Sequence, residues 1–203
     1  MRKLFNSILL CVLVVAAFRC GGLLTQREML NENLIRLHVV ADSDDAHDQT
    51  LKLQVRDAIT EKLNATMEGM TNVEEAKAYL LANLSDLQLL AQSTLRAAGC
   101  EDPVTVTLEK EVFDTRHYDT FSLPAGVYEA LRITIGSGEG RNWWCVVFPT
   151  LCYSAAGEEF EDTAAGAGFS DSLTDTLEGK DGYELRFFLL DVLGKLENLL
   201  YFG

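Results

Sequence analysis

The apolar residues of this chain change their period between Gly99 and Pro103. Before that point they recur every three or four positions, and after it they alternate. One buried face requires a period near 3.6 in a helix and of two in a strand. The chain must therefore place helices ahead of most of its strands. Leu51, Val55, Ile59 and Leu63 fall on one helical face, behind a turn and helix start at Asp42, Ser43, Asp44 and Asp45. Asp45 is placed to cap that helix, and Asp48 to favour its positive end. Val73, Ala76, Leu80, Leu84, Leu87, Ala91, Leu95 and Ala98 predict a second helix after Asn72, stopped by Gly99.

Beyond Pro103, Val104–Phe113 (VTVTLEKEVF) and Tyr128–Gly136 (YEALRITIG) alternate, and Asn142–Pro149 (NWWCVVFP) is a more buried run. With an earlier strand at Leu34–Ala41 (LIRLHVVA), these predict an α+β fold of β-α-α-β-β-β-α order. The expected sheet is mostly antiparallel, a meander, with helices packed on one face. Residues 154–182 are rich in Gly, Ala, Ser, Thr and Asp and read as a long mobile loop. Tyr183–Phe187 reads as a last short strand, and LLDVLGKLENLL as a C-terminal helix. Apolar residues make up 48% of the chain, enough for a full core.

At the N-terminus, Arg2 and Lys3 precede an uninterrupted apolar run of 11 residues, Ile8–Phe18. A spanning helix needs about 20. A basic start and a short apolar run read as an export signal over residues 1–20, removed or kept as an anchor that touches the membrane. Residues 21–33 read as a polar tether, and 34–203 as one domain. A formal net charge of −14 opposes nucleic-acid binding. Export leaves Cys100, Cys145 and Cys152 in the domain, and a Cys145–Cys152 disulfide is expected.

Catalytic chemistry finds little support. The glycines of Ile135–Cys152 (IGSGEGRNWWCVVFPTLC) have G-S-G-E-G spacing and precede a strand. A dinucleotide loop needs GxGxxG and a following helix. A tight hairpin with positive φ explains them better. Asp42, Asp44 and Asp48 resemble a calcium loop, but Ala46 and His47 stand at its fifth and sixth positions. His38, His47 and His117 lack metal-ligand spacing. No metal or cofactor is expected. Ser43, His38 and Asp48 compose the one imaginable hydrolytic triad. Adjacent Trp143 and Trp144 must face opposite sides of a strand, one of them free to meet a partner. Gly136, Gly138, Gly140, Arg141, Trp143 and Trp144 are the candidate partner-binding residues.

Two segments carry a family likeness. Ile35–Ile59 (IRLHVVADSDDAHDQTLKLQVRDAI) and Phe121–Cys152 (FSLPAGVYEALRITIGSGEGRNWWCVVFPTLC) resemble the motifs of stage II sporulation protein R. Asp42 departs from the Asn of that family, and Thr150 from its second Pro. The resemblance implies a non-catalytic signalling domain, exported from the forespore into the space between two membranes. Its implied partner there is a membrane-embedded sporulation aspartic protease of the mother cell, which cleaves the precursor of sigma factor E.

Overall fold

The computed structural model describes residues 21–67, 69–150, 157–180 and 182–201. Helix α1 covers 21–33, followed by β1 (Ile35–Val40), α2 (Ala46–Met67) and α3 (Val73–Ala97). Then come β2 (Val104–Phe113), the short β3 (Arg116–His117) and β4 (Ser122–Leu123), β5 (Gly126–Ile135) and β6 (Asn142–Phe148). The chain closes with α4 (Gly157–Gly166), α5 (Asp171–Glu178) and α6 (Glu184–Tyr201). The predicted α+β class holds.

The main sheet runs β2-β5-β1-β6, with β1 parallel to β5 and antiparallel to β6, while β3 pairs only with β4. The expected meander is therefore interrupted, because β1 inserts between β5 and β6. All six residues of β1 are buried. A strand buried throughout gains most from a central place, where both edges find hydrogen-bonding partners.

The alternation of β1 divides the core. Ile35, Leu37 and Val39 face α2 and α3, joining Leu51, Val55 and Ile59. On the opposite face Arg36 is fully buried, its guanidinium 4.2 Å from the Phe113 ring centroid and donating to Tyr118 Oη at 2.9 Å. Helices thus cover both faces of the sheet, where the sequence predicts one. The second layer comes from segments read as irregular. Residues 21–33 are a helix and no tether, with Leu23, Gln26, Arg27 and Leu30 on its buried stripe. Arg27 tolerates burial because it donates to Ala125 O at 2.8 Å and pairs with Glu197. The described part of 154–182 holds α4 and α5, anchored by Phe160, Ala164, Leu173 and Leu177. Ser170 caps α5 by accepting from Leu173 N, and Gly179 ends it. Residues 184–187 open α6 and do not form a strand, since Leu190 and Gly194 must face the sheet at helical spacing.

Candidate functional site

The glycine segment is where the sequence reading and the structure differ most usefully. Because β1 separates β5 from β6, residues 136–141 cannot form a two-strand hairpin. They cross the end of β1 and lie against the β1–α2 loop. Gly136 and Gly138 take positive φ (57° and 68°), which β-carbon sterics disfavour in other residues. Gly140 is required by close approach instead, since a Cβ there would lie 2.3 Å from Ser43 O.

Backbone and carboxylate groups lock the two loops together. Gly140 N donates to Ala41 O at 3.0 Å and Glu139 N to Asp42 O at 3.1 Å. Asp42 Oδ1 accepts from Ser137 N at 2.5 Å, and Asp44 Oδ1 from Arg141 N at 2.7 Å. The Ser137 N–H, then the Ser137 hydroxyl, hold the Asp42 carboxyl below its ordinary range. Beneath the junction the buried Lys52 ammonium donates to Arg141 O at 2.8 Å and Gln49 Oε1 at 2.6 Å. Burial, followed by the nearby Arg141 charge, pushes its pKa down. The motifs around Asp42 and Gly136–Gly140, 95 residues apart at the Asp42–Ser137 bond, are one physical unit.

This junction presents an outer surface. Arg141 is exposed, and its Nε lies 3.4 Å from Asp44 Oδ1. Trp143 is 37% exposed on the α2 side, with the Arg56 guanidinium 4.2 Å from its ring centroid. An aromatic ring with the Arg56 guanidinium over it, on a braced backbone, has the composition of an interface anchor. Arg56 carried no signal of this role in the sequence, because it sits on the polar side of α2 far from the motif.

Trp144 belongs elsewhere. It is half-buried on the opposite sheet face, stacked on His38 with ring centroids 3.7 Å apart. The Phe113 ring meets it edge-on, and Arg116 lies over it. The six candidate partner-binding residues therefore divide. Gly136, Gly138, Gly140, Arg141 and Trp143 form the junction, and Trp144 buttresses the other face.

His38 Nδ1 donates to Glu111 Oε2 at 2.7 Å, and its Nε2 lies 3.0 Å from Asn142 Oδ1. Arg132 Nη1 donates to Glu111 Oε1 at 3.0 Å. Both ring nitrogens of His38 are thus committed, and Ser43 Oγ donates to Asp48 Oδ2 at 2.5 Å instead of to a histidine. Ser43, His38 and Asp48 do not assemble as a triad. Among the described residues no group of His, Cys, Asp and Glu is arranged to hold a metal ion.

Burial works to raise the Glu111 pKa, but the His38 hydrogen bond and charge, with those of Arg132, outweigh it and hold the carboxyl below 4.5. A depressed carboxylate stabilises the fold fully above its unfolded pKa, and that stability is lost as pH falls through the folded pKa. Glu111→Gln is accordingly expected to destabilise the protein at about pH 5, where the carboxylate is charged. The difference should shrink as pH falls below about 4. Urea titrations of both proteins across this range measure it, and a gap that widens on acidification contradicts the pairing.

Cys145 is buried and is not a free thiol, whereas Cys100 is free and half-buried. Cys152, the expected partner of Cys145, lies outside the described residues.

A profile of the stage II sporulation protein R family matches residues 31–158, which include both halves of the junction. The chain is also 32% identical over 189 residues to stage II sporulation protein R of Bacillus subtilis (strain 168), covering 84% of each chain. No solved structure matches it.

Proposed function

The chain belongs to the stage II sporulation protein R family, and from that premise we propose that it is an exported, non-catalytic ligand that switches on a membrane-embedded aspartic protease. The protease then processes the precursor of sigma factor E across the space between forespore and mother cell. The observation that carries this reading is the braced junction of 41–45 with 136–141, which sets Arg141 and Trp143 outward. A rigid surface loses little entropy on binding. A ligand of this kind acts by binding the active state of the protease more tightly than the inactive one. The formal net charge of −14 favours a basic or neutral receptor surface.

Co-expression of the chain with the protease and the sigma-factor precursor tests the proposal. Processing is expected only when all three are present. Absence of processing, with all three folded and in the right compartments, rejects it.

Export also favours a Cys145–Cys152 disulfide, worth roughly 2–4 kcal/mol by constraint of the unfolded chain. Mass spectrometry of non-reduced exported protein is expected to find the two peptides linked. Alkylation of both cysteines in that material would exclude the bond.

A further inference from the structure

Helix α6 has two apolar sides. Its inner side sets Leu190 and Gly194 against the second core. Its outer side carries Leu185, Phe188, Leu189, Leu196, Leu199 and Leu200, all exposed, with Phe188 at 59% and Leu199 at 72%. At 100° per residue these six fall on an arc of about 120°. Charged residues stay off it, with Glu184 and Lys195 along one border and Arg186 and Glu197 along the other. A stripe this wide and this clean normally faces a core. Left exposed, it marks an interaction surface.

The position of α1 identifies the occupant. It runs beside α6 in the same direction. Leu23 shares a cleft of about 620 Å³ with Leu185 and Leu189, near the start of α6. Arg186 Nε donates to Gln26 Oε1 at 2.9 Å, and Asn31 Nδ2 to Glu197 Oε1 at 3.0 Å further along. The apolar run Ile8–Phe18 ends three residues before Gly21, where the described part of α1 begins. Three residues reach at most about 11 Å. A bilayer that takes up Ile8–Phe18 is therefore within reach of Leu24, Leu185, Phe188 and Leu189. A second copy is a poor occupant, because each chain carries a net charge of −14 and the two would repel.

We propose that the outer side of α6 is a membrane-docking face, lying in the headgroup–acyl boundary of a lipid bilayer as an amphipathic interfacial helix. The Arg141–Trp143 surface lies on the other side of the sheet, so failure of either assignment leaves the other standing. The test uses the full chain bound to phosphatidylcholine vesicles, with Phe188→Trp as the probe and acyl-brominated lipid as the quencher. The unsubstituted chain reports the background from Trp143 and Trp144. The introduced tryptophan should shift to the blue and lose about half of its emission or more to an acyl-depth quencher. Adding Leu185→Ser and Leu199→Ser should restore the emission with the thermal melt unchanged. Vesicle-bound chain whose introduced tryptophan stays unquenched overturns the proposal. So does a lipid-free dimer in which the same tryptophan is already blue-shifted, since a second copy then covers the stripe.

Discussion

Trp143→Ala is expected to weaken activation of the protease about thirty-fold, the equivalent of about 2 kcal/mol for a lost interface anchor. The effect should appear as a rightward shift in the amount of ligand needed for precursor processing. The thermal melt should fall less than it does for Trp144→Ala, because the ring is 37% exposed and its described ring contact is the Arg56 guanidinium. Trp144→Ala makes the contrast. It removes the stack on His38 and the edge contact with Phe113, so it should lower stability first and activity only as a consequence. Ser43→Ala loses two hydrogen bonds, the one donated to Asp48 and the one accepted from Asp45 N, and should process the precursor normally once shown to be folded. If Ser43→Ala alone abolished processing while both folded tryptophan variants stayed active, the ligand reading would fall. A hydrolytic role for Ser43 would then have to be reopened.

Gly194→Ala should be among the most damaging single-methyl changes in the protein. Alanine is the better helix former, by about 1 kcal/mol, so intrinsic propensity predicts stabilisation at this α6 position. Packing predicts the reverse. A Cβ on Gly194 would lie 1.6 Å from Ala125 O, a backbone atom that cannot rotate away. Relief requires α6 to move off the start of β5. That movement disturbs the Arg27 Nη1 bond to Ala125 O and the 2.9 Å bond from Ala125 N to Asp191 Oδ1. Overpacking together with a loosened charged hydrogen bond should cost about 3 kcal/mol or more. For a domain of this size the melt should fall by about 6–12 °C. Gly166→Ala, at the end of α4 where a Cβ meets nothing within 4 Å, is the control and should be neutral or stabilising. A Gly194→Ala protein as stable as the parent would mean that α6 does not sit on β5 as described.

Much of the fold was legible in the residues because it is governed by local periodicity. Leu51, Val55, Ile59 and Leu63 announce the buried side of α2, and all four are buried there. In β5 the alternation marks one side only in Leu131, Ile133 and Ile135, which join the α2–α3 core, while Tyr128 and Ala130 are buried on the opposite face. Helices α1, α4 and α5 were hidden for a common reason. Each buries a thin stripe within a polar or small-residue segment, such as Phe160 and Ala164 in α4. A stripe that narrow earns its stability by docking on a sheet, and its sequence resembles a loop.

The candidate site divides in the same way. The residue types and glycine positions of the 136–141 segment pointed to a turn with positive φ, and to Trp143 and Trp144 on opposite faces of one strand. Which tryptophan faces solvent, and what the turn rests against, depended on the neighbours of β6. Alternation records which side of a strand is buried and carries no information about which strand lies beside it. The tertiary structure placed β1 between β5 and β6, since a strand buried at every position is best paired along both edges. That one choice turned an expected free hairpin into a crossing segment bound to Asp42 and Asp44.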